Sequence, residues 1–118
     1  MNVISISGNL CKDIEINYTK NNKMYTENTI GVKNRKKRED GSYCSDFIDI
    51  VAFENKAKYL AEYAQKGDYI EVAGKLRVDS WRNEAGEYRE RSYVVVDELK
   101  ITTSKRKDKT DEKEELPF

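Results

Sequence analysis

Apolar residues recur at every second position along most of this chain, and at a helical spacing in one segment only. Strand side chains alternate between two faces, so a sustained period of two commits the chain to sheet with one side buried. Ile4, Ile6, Gly8 and Leu10 alternate with Ser5, Ser7 and Asn9, and Gly8 marks a bulge or a close backbone approach. Asp13 to Thr19 reads as a second strand piece, closed by a turn at Asn21-Asn22. From Lys23 to Lys33, Met24, Thr26, Asn28, Ile30 and Val32 share a face, and the basic run with Asp40-Gly41 then reads as a loop. Tyr43 to Phe53 is a long strand, with Phe47, Asp49, Val51 and Phe53 on one side and Ile48, Ile50 and Ala52 on the other.

The helical segment runs from Asn55 to Lys66. Ala57, Leu60, Ala61 and Ala64 form its apolar stripe, Asn55 is the expected N-cap, and Gly67 stands where a left-handed C-terminal cap is wanted. Period two returns from Asp68 to Val78, with Ile70, Val72, Gly74, Leu76 and Val78 on one side. Asn83 to Gly86 reads as a hairpin tip and Tyr88 to Ile101 as the last strand. Three strands, a helix and a closing hairpin form the order of an OB-fold. The expected class is therefore all-β with one helix, a five-stranded Greek-key barrel. A small β-sandwich is the alternative, and the isolated helix disfavours it. Beyond Thr103 no apolar period appears until Leu116. The expected division is a barrel domain over residues 1–102 and a disordered, charged tail over residues 103–118.

Charge is balanced at 22 cations against 22 acids, but its distribution is uneven. Lys33, Arg35, Lys36, Lys37 and Arg38 are packed into six positions, Lys105-Arg106-Lys107 opens the tail, and acids crowd the end. Cations that track phosphates and aromatic rings that stack bases are what a surface for single-stranded nucleic acid requires. Phe47 and Phe53 share a face, about 20 Å apart in an extended strand. Trp81 follows Lys75-Leu76-Arg77 at the root of a polar hairpin that carries Arg82, and Arg77 and Arg82 join the candidate cations. For each there is a plain alternative: barrel residues for the two phenylalanines, a barrel plug for Trp81, and a solvated loop for the cations.

Catalysis finds no support in the residues. The chain has no histidine, no nucleophile elbow and no phosphate-binding loop, and Asp46 and Asp49 fall on opposite faces of their strand. No cofactor or metal is expected. The two cysteines, Cys11 and Cys44, are expected to be reduced. Without an apolar run of spanning length or a signal-like N-terminus, a cytoplasmic location is expected and no membrane partner.

Several segments together resemble bacterial and phage single-stranded DNA-binding proteins. Val3 to Leu10 followed by Asp13 is similar to their opening strand. Asn28 to Val32 and Ser45 to Phe53 look like their next two, and Lys66 to Arg77 resembles the glycine-and-arginine strand after the helix. Trp81 stands where that family carries a stacking tryptophan, and Leu116-Pro117-Phe118 after acids matches its partner-docking tip. The resemblance implies coating of single-stranded DNA in replication, recombination and repair, and assembly as a homotetramer. It also implies recruitment of replication and repair proteins through Asp111, Glu112, Glu114, Glu115, Leu116, Pro117 and Phe118. An OB-fold adaptor with weak or lost DNA binding is the alternative. This chain departs from the family pattern in four places. Lys36 and its neighbours replace an aromatic at the end of the second strand, Phe47 rather than tryptophan starts the third and offers a smaller stacking platform, Asp79-Ser80 precede Trp81, and the tail is short and charged. Fewer stacked bases and more reliance on charge are expected, in a nucleoid or phage-encoded version of the family.

Overall fold

A computed structural model gives the structure of residues 1–102; the expected tail and its tip lie outside these described residues. The strands are β1 (Ile4–Leu10), β2 (Asn17–Tyr18), β3 (Met24–Lys37), β4 (Tyr43–Phe53), β5 (Tyr69–Arg82) and β6 (Tyr88–Ile101), with helix α1 (Asn55–Tyr63) between β4 and β5. Five of them close a ring in the order β1-β5-β6-β4-β3, and β3 returns to β1; the two-residue β2 adds only a flap on β3. All pairs are antiparallel except β4–β6, which run parallel through Ile50 opposite Val94 and Val51 opposite Val95. This is the OB-fold that the order of periods predicts.

β1 closes the ring by changing partners. It pairs with β5 from Ile4 to Asn9 and with β3 at Asn9 and Leu10. Gly8 sits at that corner, where a Cβ would collide with the Gly31 carbonyl oxygen and lie 2.5 Å from Ile30 Cγ2. The close approach expected from the glycine is therefore real, and the β1–β5 register carries no bulge. Leu10, Ile30, Ile50, Ile70, Val72, Val94 and Val96 fill the barrel, and Leu60 and Ala64 close one end of it. Of the four buried polar side chains among the described residues, Asn28 and Thr26 tie the start of this frame together. Asn28 donates to the Lys12 carbonyl (2.9 Å) and accepts from the Lys12 and Thr29 amides (3.1 and 2.8 Å), while Thr26 donates to the Glu15 carbonyl (2.7 Å). They fasten the β1–β3 connection, which has little strand pairing of its own.

Several local readings are corrected. The Asp13–Thr19 piece pairs only at Asn17 and Tyr18. The basic run is not a loop: β3 continues to Lys37, and the turn begins at Arg38. Asn55 does not cap the helix; Glu54 does, at φ 54 with no side-chain bond to the helix, and α1 ends at Tyr63 with Ala61 exposed. Gly67 does adopt a left-handed φ of 95, but within a tight turn: its amide donates to the Leu10 carbonyl and the Asp68 amide to the Gln65 carbonyl. Finally, β5 runs on to Arg82, so Leu76 and Val78 project beyond the barrel and are exposed. The change begins at a bulge between Ala73 and Gly74, where a Cβ on Gly74 would strike the Val95 carbonyl oxygen.

Candidate nucleic-acid interface

The β3–β4 register decides which residues share the outer surface. Tyr25 faces Phe53, Glu27 faces Val51, Thr29 faces Asp49, Gly31 faces Phe47 and Lys33 faces Ser45. Alternation puts these pairs on one side and the core pairs, such as Ile30 with Ile48, on the other. Phe47 is 68% exposed and lies over Gly31; a Cβ there would stand 3.4 Å from its ring. The missing side chain lets the ring lie against the strand with its outer face open. Phe53 is half-buried, its centroid 6.1 Å from that of Tyr25, with Lys23 Nζ 4.8 Å from its own ring centre. Asp46 and Asp49 do point to opposite sides, since their partners are Val32 and Thr29.

At one end of this surface the strands form a basic cradle. The register slips between Lys33 and Lys37, and Asn34 stabilises the slip: it donates to Asp46 Oδ1 (3.1 Å) and accepts from the Lys36 amide (2.9 Å). Lys33, Asn34, Arg35, Lys37 and Tyr43 then line an open concavity of about 700 Å³. Lys37 holds its ammonium 5.5 Å from the centre of the Tyr43 ring. An aromatic is thus present at this end after all, supplied by β4. Lys36 is exposed but outside the concavity. Arg38 serves its own turn, reaching Ser42 Oγ (3.5 Å) and the Tyr43 carbonyl (3.4 Å).

The β5–β6 hairpin forms the other flank. Trp81 is 48% exposed, so it does not plug the barrel. It lies near the hairpin tip, opposite Arg89, rather than at the root. Arg77, Asp79 and Trp81 alternate onto one side of β5, and Arg82 falls on the other, donating to the Gly86 carbonyl (3.1 Å). Arg77 is exposed and opposite Tyr93. Between this hairpin and β3–β4 runs a groove lined by Tyr25, Phe53, Glu27, Asp79, Arg91 and Tyr93. Arg91 donates from Nη1 to Glu27 Oε2 (3.2 Å), reaches Asp49 Oδ2 from Nε (3.5 Å), and lies 5.3 Å from the Tyr93 ring centre. Partial burial works against its charge, but the Glu27 and Asp49 carboxylates outweigh this and raise its pKa above the ordinary arginine value. Tyr93 donates to Asp79 Oδ2 (3.1 Å); burial first, then the Asp79 carboxylate, raises its phenol pKa above 10.

The outer surface is therefore not uniformly basic. Cations and open rings occupy the β3–β4 end, while three carboxylates and one arginine occupy the middle. Among the described residues no three His, Cys, Asp or Glu side chains are placed to hold a metal ion. Tyr25, Tyr43, Arg91 and Tyr93 were not singled out from the sequence. Tyr43 shares the parity of Phe47 and Phe53 and was legible by extending that face; Arg91 depends on three strands meeting and leaves no local signal.

A closed five-stranded barrel with one helix between its third and fourth long strands and an open aromatic and cationic face is an OB-fold domain. Residues 1–102 match the profile of the Single-strand binding protein family. The chain belongs to that family. It is 29% identical over 106 residues to the Single-stranded DNA-binding protein of Wolinella succinogenes, covering 88% of this chain and 65% of that protein. It is also 29% identical over 105 residues to that of Streptococcus mutans, covering 89% of this chain and 64% of that one. Identity to Single-stranded DNA-binding protein 1 of Streptococcus pyogenes is 29% over 101 residues, covering 86% and 78%. The chain thus spans just under two thirds of the length of the first two relatives.

Proposed function

We propose that this chain binds and coats single-stranded DNA without sequence preference and without catalysing a reaction. The observation that carries this reading is the Phe47 ring, open to solvent over Gly31 and beside the cradle of Lys33, Arg35 and Lys37. Phe47, Phe53 and Trp81 stack bases, and Lys33, Arg35, Lys36, Lys37 and Arg77 meet phosphates. Arg38 and Arg82, tied to their turns, set the shape of the two hairpin tips and add charge there. Family membership and the names of the relatives support the same reading. By extension the protein acts in DNA replication, recombination and repair as a homotetramer in the bacterial cytoplasm or nucleoid, or in a phage-infected cell. In this reading the segment from Asp111 to Phe118 recruits partner proteins.

Trp81 is the only tryptophan, so its fluorescence reports on the site directly. Titration with oligothymidylate at low salt should quench it, and added salt should reverse the quench. Retention of no oligonucleotide at low salt would refute the proposal. One observation favours a second reading, an OB-fold adaptor with weak DNA binding: the carboxylates of Glu27, Asp49 and Asp79 sit in the middle of the face. Affinity with and without residues 116–118 separates the readings: a coating protein binds DNA tightly in both forms and loses only its partners, whereas an adaptor binds DNA weakly in both.

A further inference from the structure

The centre of the proposed DNA face holds a cation that is already spoken for. Arg91 reaches Glu27 with Nη1 at 3.2 Å and Asp49 with Nε at 3.5 Å, and its guanidinium lies near the Tyr93 ring. The two carboxylates are held differently. Asp49 is anchored, because its other oxygen accepts from Thr29 Oγ1 at 2.9 Å and Thr29 is nearly buried. Glu27 has a longer stem, its side chain is 46% exposed, and Arg91 is its one ion-pair partner among the described residues. Its neighbour across the strands is Val51, which offers it no hydrogen bond from a side chain. The groove that contains this pair also contains Tyr25 and Phe53, so a strand stacked on those rings runs its backbone past Arg91.

We propose, resting on the DNA-binding reading above, that Arg91 is a phosphate-binding residue held in reserve: a backbone phosphate displaces Glu27 from Nη1 while Asp49 and Tyr93 keep the guanidinium in place. A phosphate and a carboxylate are both oxyanion acceptors for an arginine fork, so the exchange conserves the hydrogen bond. Glu27 swings into solvent on its free stem. The exchange makes Glu27 a brake on affinity. In free protein it occupies the donor, and in the complex it stands as an unpaired negative charge beside the strand. An exposed ion pair is worth up to about 1 kcal/mol, so releasing Arg91 should tighten binding by up to about fivefold.

The experiment is a double-mutant cycle on the full chain: wild type, Glu27→Gln, Arg91→Gln and the double variant. Binding of fluorescein-labelled oligothymidylate is followed by anisotropy across a salt series, and melting curves verify that each protein is folded. Glu27→Gln should bind up to about fivefold tighter than wild type. Its log–log salt slope should change by no more than a fraction of the roughly 0.7 that one single-strand phosphate contributes, since the contact exists in both. Arg91→Gln should shallow the slope by about 0.7. In the Arg91→Gln background the Glu27 substitution should gain less than about half of that effect in free energy, because no donor remains to be freed. Equal gains with and without Arg91 would overturn the exchange and leave only general charge repulsion, and so would an Arg91→Gln slope equal to wild type. An Arg91→Met variant, which also removes the charge, gives the same slope test if Arg91→Gln melts at low temperature. If none of the folded proteins binds the oligonucleotide at low salt, the DNA-binding reading itself fails, and the exchange with it.

Discussion

Replacing Phe47 by alanine separates binding from folding. The ring is 68% exposed, with only about a third of it against Gly31 and its surroundings. Truncating a fully buried phenylalanine costs about 3–5 kcal/mol, and most of that comes from lost burial and the cavity left behind. At Phe47 no enclosed cavity forms and about one third of the area is lost, so the stability loss should be near 1 kcal/mol. In a domain of this size that lowers the melting temperature by about 4–8 °C. A stacked base is worth about 1–3 kcal/mol, so affinity for oligothymidylate should fall roughly 5- to 150-fold. The salt slope should be nearly unchanged, because no phosphate contact is removed. Anisotropy titrations at several salt concentrations, with thermal melts on the same samples, measure all three quantities. Tyr59→Ala on α1, where the ring meets only Tyr63 among the described aromatic contacts, is the control. If Phe47→Ala binds as wild type does, or loses affinity only in proportion to its fall in stability, the stacking role is wrong.

Four further outcomes are expected. Neutralising Lys33, Arg35 and Lys37 together should shallow the salt slope by up to about 2, three times the single-strand contribution per phosphate, with little change in melting temperature. Gly74→Ala should destabilise by about 3 kcal/mol in a urea titration, because the obstacle is the Val95 carbonyl and backbone cannot step aside as a side chain could. Asn28→Leu should cost about 2–4 kcal/mol in the same assay, since it strands the Lys12 amide and carbonyl that Asn28 satisfies. The Tyr93 phenol should titrate above 10 by ultraviolet absorbance, and Asp79→Asn should bring it down. The sign for stability follows: the folded state holds this proton more tightly than the unfolded state. The contribution is thus complete below pH 10 and is lost as pH rises through the folded-state pKa.

The barrel was legible because its core strands alternate. Tyr43–Phe53 and Tyr88–Ile101 stand in the structure with the bounds their patterns predict. The errors cluster where strands leave the core. Apart from the half-buried Asn34, Lys33 to Lys37 and Val78 to Arg82 are exposed on both sides, so no buried face imposes a period and the residues look like loop. The helix cap failed for a different reason. The Glu54 amide bonds the Met24 carbonyl, a tertiary contact that fixes where the chain turns into the helix whatever the local capping preference of Asn55. At the candidate site, Phe47, Phe53 and Trp81 announced themselves by type and parity. The Arg91 network did not, because Glu27, Asp49 and Arg91 meet only through the registers of β3, β4 and β6.

The order of strands around the ring also bears on how the protein is made. β6 follows every other described element in the chain, yet it lies between β5 and β4 and is the strand that joins them directly. Without β6 the remaining pairings are β3–β4, the short β1–β3 contact and β1–β5, so the ring stays open between β5 and β4. Val72, Ile50 and their neighbours remain open to water in that state, beside unpaired strand edges. Contacts between distant segments close slowly, and such edges can pair with other chains. The availability of chaperones before β6 is in place should therefore govern the yield of soluble protein more than the stability of the finished barrel does.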